Sequence, residues 1–269
     1  MTFAALRATA QAWLDSGRPA MEVAVLAHRG SVPREAGTRM LVAADAVAGT
    51  IGGGHLELQA IERARQQLAE GATGVDDWTV ALGPTLGQCC GGALTLRTQP
   101  LNSASLAAWP ETLPRFTLQL YGAGHVGRAI VRLLEGIDCR VQWIDERESE
   151  FPPEPLPPHI DKVCVEPVEA EVGAAPPGAF YLVLTHSHDL DLRITEAVLR
   201  RGDFGFCGLI GSQTKRARFL HRFEQRGVPP ESIARLTCPI GVPGITGKEP
   251  AVLAVAVVAQ LLQVASPAR

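Results

Sequence analysis

Apolar positions in residues 3–15 recur at helical spacing, with Phe3, Leu6, Ala10, Trp13 and Leu14 on one face. The pattern then changes to short apolar runs at 21–30, 38–44 and 47–54, which read as strands, the third ending in glycines. Leu58, Ile61 and Leu68 restore helical spacing over 55–71, where Gly71 stops the helix. Strands at 78–82 and 93–97 flank the segment GPTLGQCCGG. Residues 98–115 are rich in Pro and Ser and show no strong period. A linker over 101–115 is therefore expected, between a mixed α/β domain at 1–100 and a second domain at 116–269.

From residue 116 strands alternate with helices: strand 116–122, helix 125–136, strand 140–146, strands 161–166 and 179–186, helix 190–201, strand 204–211 and helix 214–226. An apolar helix from about 249 closes the chain, and a Pro-rich loop at 151–160 interrupts the series. Such alternation implies right-handed crossovers and a parallel sheet covered on both faces.

Gly122, Gly124 and Gly127 form GAGHVG directly after a strand and before a helix, and Asp145 ends the next strand. In that frame the first glycine permits a tight turn, the second admits a pyrophosphate to the backbone, and the third packs helix on strand. Asp145 is placed to accept from a ribose hydroxyl, or is a solvated strand-end residue. The fold expected for 116–269 is a Rossmann-type domain, with NAD(P) as one ligand such a turn takes.

Ligands of open parallel sheets sit beyond the carboxyl ends of the strands. Two further segments fall there. THSHDLD (185–191) approaches a hydrolase zinc signature but has Leu190 and Asp191 where Asp and His are needed. His186 and His188 are either metal ligands or part of a loop whose Asp caps the next helix. Gly211 to Arg216 offers Ser212 and Lys215 at a helix start, suited to a phosphate or carboxylate, or simply a capped helix with a basic first turn.

In the first domain Gly52, Gly53, Gly54 and His55 open a helix after a glycine loop, again a candidate anion site. Arg34 and Arg39, in the turn-rich SVPREAGTR run, could clamp a phosphate or a heterocycle carbonyl. Cys89 and Cys90, between glycines, are not at zinc-ribbon spacing. Backbone N–H groups there can stabilise a thiolate as soft metal ligand or nucleophile; the alternative is two small hydrophobes in a tight turn.

Composition removes several function classes. The formal net charge is −3 and neither half is basic, so no nucleic-acid partner is expected. The most apolar stretch, 251–265, is too short to span a bilayer and carries two Gln, so no membrane partner is expected either. The N-terminus has no signal-peptide pattern, which points to the cytoplasm, and the six cysteines then read as thiols. Cys139, Cys164 and Cys207 are expected as small buried hydrophobes.

Taken together the runs SVPREAGTRMLV, IGGGHLE, GQCCGG, YGAGHVG, THSHDLD, GLIGSQTKR and CPIGVPGITGKEP resemble, in order, the XdhC/CoxI family of accessory proteins for molybdenum hydroxylases. The resemblance covers nearly all of residues 22–262. It implies a chaperone, not itself an enzyme, that binds the molybdenum cofactor in its molybdopterin form. Such a protein supports sulfuration of the cofactor and its insertion into apo-xanthine dehydrogenase. The implied partners are xanthine dehydrogenase, a cysteine desulfurase, the proteins of molybdenum cofactor biosynthesis and further copies of the chain. Cys90 is then a candidate molybdenum ligand. Two rival readings remain at this point: an NAD(P)-dependent oxidoreductase using His186 or His188 as acid/base, and a scaffold joining desulfurase to dehydrogenase.

Overall fold

The computed structural model describes residues 1–82, 92–111 and 113–266. Contacts divide the chain into two compact units meeting between residues 112 and 113.

The first unit is an antiparallel sheet sandwiched between helices. Its strands are β1 (Ala20–Arg29), β2 (Arg39–Ala43), β3 (Val47–Gly49), β4 (Asp76–Ala81) and β5 (Ala93–Pro100), in the order β3-β2-β1-β5-β4. Side chains alternate across the sheet as strand geometry demands. Met21, Val23, Val25, Met40, Val42, Leu94 and Leu96 face α2 (Gly54–Ala69), which buries Leu56, Ala60 and Ala64 against them. Leu41 and Ala43 face the other way, onto Leu6 and Ala10 of α1 (Phe3–Asp15) and Leu106 of α3 (Ser103–Ala107).

Helix α3 falls in the stretch read as linker, so that reading is corrected for residues 101–111. The signal was local. The Asn102 side chain accepts from Ser105 N–H and the Ser105 hydroxyl accepts from Asn102 N–H, a capping box in which Ser takes the place of Glu. Trp109 then buries its ring, with the Arg39 guanidinium 5.5 Å from the ring centroid. Arg39 also donates to the buried Glu22 at 2.8 Å, a pairing the residue pattern alone does not reveal.

The second unit is a fully parallel six-stranded sheet. It is built from β6 (Thr117–Tyr121), β7 (Arg140–Asp145), β8 (Ile160–Cys164), β9 (Phe180–Val183), β10 (Phe206–Leu209) and β11 (Leu236–Thr237), in the order β11-β10-β9-β6-β7-β8. Helices α4 (His125–Leu134) and α8 (Pro250–Ala265) cover one face; α5 (His188–Arg201), α6 (Gln213–Gln225), α7 (Pro230–Ala234) and a 3-10 turn (Val168–Ala174) cover the other. This is the dinucleotide-fold order, with its reversal between β6 and β9. The Rossmann-type expectation is met. Helix α7 and β11 were not foreseen, being too short to leave a period. Cys164 corrects the buried-thiol reading: it ends the edge strand β8 and is exposed, whereas Cys139 and Cys207 are buried as expected. No helix among the described residues is long and apolar enough to cross a membrane.

Candidate functional site

The turn from β6 into α4 shows why three glycines stand there. Gly122 has φ +120°, and a Cβ on it would lie 2.4 Å from the Leu184 carbonyl oxygen. A Cβ on Gly127 would lie 2.1 Å from the Gly122 oxygen, which Trp143 Nε1 also holds by donating at 3.0 Å. These two glycines are demanded by the protein itself. Gly124 differs: its φ is −69°, open to any residue, and a Cβ there meets nothing within 4 Å. It heads α4 with no side-chain cap, so the backbone faces open space where an anion can approach.

Asp145 lies across that turn with its side chain 3% exposed. Oδ2 accepts from Ala123 N–H at 2.7 Å and from the Arg147 guanidinium; Oδ1 accepts from Arg147 N–H and Nε, each at 3.0 Å. A carboxylate offers about four lone-pair sites, and all are used. Asp145 therefore clamps the glycine turn to Arg147 instead of waiting for a ribose hydroxyl. Burial raises its pKa, but the Arg147 side chain, then the Ala123 and Arg147 N–H groups, outweigh burial and hold it below the usual carboxylate range. A depressed folded-state pKa gives stability that is present above the unfolded value and lost as pH falls through the folded one. Arg147→Ala should thus lower stability at neutral pH and flatten the fall between neutral and acid pH, read from denaturant unfolding at pH 7 and pH 3.

Beyond β9 the THSHDLD segment folds back on itself. Ser187, and not an Asp, caps α5, accepting from Leu190 N–H. Asp191 is 1% exposed and turns inward. Its Oδ1 accepts from Thr185 N–H at 2.9 Å and Oγ1 at 2.7 Å, and its Oδ2 pairs with Lys215 Nζ at 2.5 Å. Lys215 also donates to Ile210 O at 2.9 Å, so the ends of β9 and β10 are tied by one buried network. Ser212 caps α6 by accepting from Lys215 N–H, which is the capped-helix alternative. His186 approaches Glu146 at 3.6 Å on a narrow crevice lined by Gly122, Asp145 and Thr185. His188 lines a separate cavity between α5 and α6. The two histidines do not converge, and no group of three metal-ligating side chains occurs among the described residues.

In the first unit the glycine loop has already found its anion. The Glu57 carboxylate accepts from Thr50 Oγ1, from Ile51 N–H at 2.9 Å and from Gly53 N–H at 3.1 Å. Gly52, Gly53 and Gly54 all have positive φ, and a Cβ on Gly52 would lie 2.7 Å from the Pro33 ring. Gly92 is pressed as closely: its Cβ would lie 2.5 Å from both Arg29 O and Ser31 O. Gly92 O accepts from Leu82 N–H at 2.7 Å, closing the strand ends that flank residues 83–91. Three separated motifs, at 31–37, 52–55 and the end of GQCCGG, thus meet at one end of this sheet. Arg29 and Arg34 stand exposed there with no ion-pair partner among the described residues. His55 is exposed and pairs with Gln59 at 3.2 Å. Cys89 and Cys90 lie outside the described residues. Glu57, Arg29 and Arg147 were missed by the motif reading, since nothing in spacing marks which acid a glycine loop recruits.

The chain matches the family model described as the XdhC Rossmann domain over residues 118–261, and that of the XdhC and CoxI family over residues 13–79. A protein of Escherichia coli (strain K12), described as uncharacterized protein YqeB, is 35% identical over 250 residues. The match covers 89% of this chain and 42% of the relative, so the chain spans about two fifths of that protein's length. A solved structure described as a xanthine dehydrogenase from Bacillus halodurans aligns with TM-score 0.76 at 18% identity, over 98% of this chain and 96% of the other. At that identity the likeness is one of fold.

Proposed function

The chain belongs to the XdhC and CoxI family, and from that premise we propose that it is a maturation factor for a molybdenum hydroxylase of the xanthine dehydrogenase type. Its cargo is the molybdenum cofactor in molybdopterin form. The protein holds the cofactor while a cysteine desulfurase supplies the terminal sulfido group, then hands it to the apo-dehydrogenase. Cofactor biosynthesis proteins stand upstream of this step. The setting is the cytoplasm, and the chain acts as a carrier without turnover.

The observation that supports this reading is the convergence of the three motifs at one end of the first unit. A molybdopterin carries a phosphate, a polar ring system and a metal with soft sulfur ligands. Arg29 and Arg34, without an ion-pair partner among the described residues, offer guanidinium forks for the phosphate. Glu57 takes the Ile51 and Gly53 N–H groups of the glycine loop, which leaves the first N–H groups of α2, from Gly54 onward and without a side-chain cap, for an anion of the cargo. The thiol of Cys90, with Cys89 the lesser partner, is the soft donor that would ligate molybdenum or guard its sulfido group. The oxidoreductase reading draws less support: Asp145 has no acceptor site left for a ribose, and Lys215 is committed to Asp191.

Cysteine variants test the proposal. Cys90→Ala should melt normally yet retain roughly tenfold less molybdenum and activate apo-dehydrogenase poorly, a loss of about 1.4 kcal/mol in binding. Cys139 and Cys207 are buried core thiols, so alanine at either position should cost stability through lost packing and leave loading per folded molecule intact. Unchanged loading in both Cys89→Ala and Cys90→Ala would remove the thiol from cargo binding.

A further inference from the structure

A cavity of about 180 Å³ opens between the starts of α5 and α6, lined by His188, Ser212, Thr214, Lys215, Arg218 and Arg222. Its charges do not cancel. Lys215 is neutralised within the fold by buried Asp191 at 2.5 Å. Arg218 and Arg222 stand one helical turn apart on the same face of α6. Arg218 has no acidic partner among the described residues. Among the described residues the acidic partner of Arg222 is Asp189, at 3.9 Å, whose side chain is 90% exposed and so screened by water. The wall thus carries two guanidinium groups against one solvated carboxylate.

We propose that this cavity is a binding site for a phosphomonoester group, distinct from the cargo end of the first unit and independent of the reading given for it. Two guanidinium groups present paired N–H forks that match phosphate oxygens. The Thr214 hydroxyl, and the Ser212 hydroxyl proton not used in capping, add donors that a dianion can accept. The starts of both helices, each longer than twelve residues, add positive potential of the same sign. The volume is below the range of whole-cofactor pockets, so the site grips a phosphate and leaves the rest of its bearer outside. The crevice at Gly122 and Asp145 has a separate lining, apart from the α5 start, so the two are separable by mutation.

The test is titration of the full chain with inorganic phosphate and with glycerol phosphate, at ionic strength held constant with chloride and followed by calorimetry. Both ligands should bind the unmodified protein. Arg218→Gln/Arg222→Gln should weaken both by roughly tenfold or more, with melting unchanged because both side chains face solvent. Arg140→Gln, on the other side of the sheet order, should change neither. Equal affinity in the double variant, or no uptake by the unmodified chain, would overturn the site. Sulfate competing as well as phosphate would overturn the phosphomonoester assignment in favour of a general anion sink.

Discussion

Gly127→Ala should destabilise the Rossmann unit by roughly 3 kcal/mol or more, while Gly124→Ala, three residues earlier, should stay within about 0.5 kcal/mol of the unmodified protein. The contrast follows from what each new Cβ would meet. At position 127 it lands 2.1 Å from the Gly122 oxygen, and that oxygen cannot retreat because Trp143 donates to it and Gly122 itself presses on Leu184. At position 124 it points into open space with an ordinary backbone conformation. Denaturant unfolding measures both. A Gly127→Ala variant within about 1 kcal/mol of the unmodified chain would show that the turn relaxes, and that the close packing of helix on strand is not what selects glycine there.

Asp191→Ala should cost about 3–5 kcal/mol, the usual penalty for removing one member of a buried ion pair. It strands the Lys215 ammonium, whose side chain is only 11% exposed, and leaves Thr185 N–H without its acceptor, while the Thr185 hydroxyl keeps only Ser187 O at 3.0 Å. Lys215→Met alone leaves the opposite charge unpaired. In the double variant neither charge remains, and stability should recover part of the loss. Additive losses in that cycle would mean that the two side chains do not interact. The network joins the β9 and β10 ends that frame the cavity beside α6, so the cycle is best read together with the phosphate titration.

The architecture of the second unit was legible because a buried parallel sheet writes itself as alternating apolar runs and amphipathic helices. GAGHVG was legible because its spacing marks the strand-to-helix turn as a whole: Gly127 answers to the nearby Gly122 oxygen, although Gly122 answers to Leu184 just past β9. What the sequence did not show was who partners whom. Ser187 and Asp191 are both plausible caps by type; Ser187 takes the role, and Asp191 is drawn inward by Lys215, 24 residues beyond Asp191. Asp145 carries the dinucleotide spacing, yet Arg147 two residues later consumes its acceptors. Glu57 looks like an ordinary solvated helix residue, and the positive-φ glycine loop turns it into the loop's own anion. Helix α3 was hidden because five residues show no period, and its capping box uses Ser at the position where Glu or Gln is the familiar signal.

The proposed carriage of the molybdenum cofactor is open to a direct test. The direct measurement is anaerobic purification from cells making the cofactor, followed by metal analysis and fluorescence of the oxidised pterin on the same sample. Molybdenum and pterin are expected in equal amounts, retained by the unmodified chain and reduced roughly tenfold in Cys90→Ala and Arg34→Ala at unchanged melting temperature. Protein that is folded, taken from cells whose dehydrogenase is active, and free of both molybdenum and pterin would contradict that carriage.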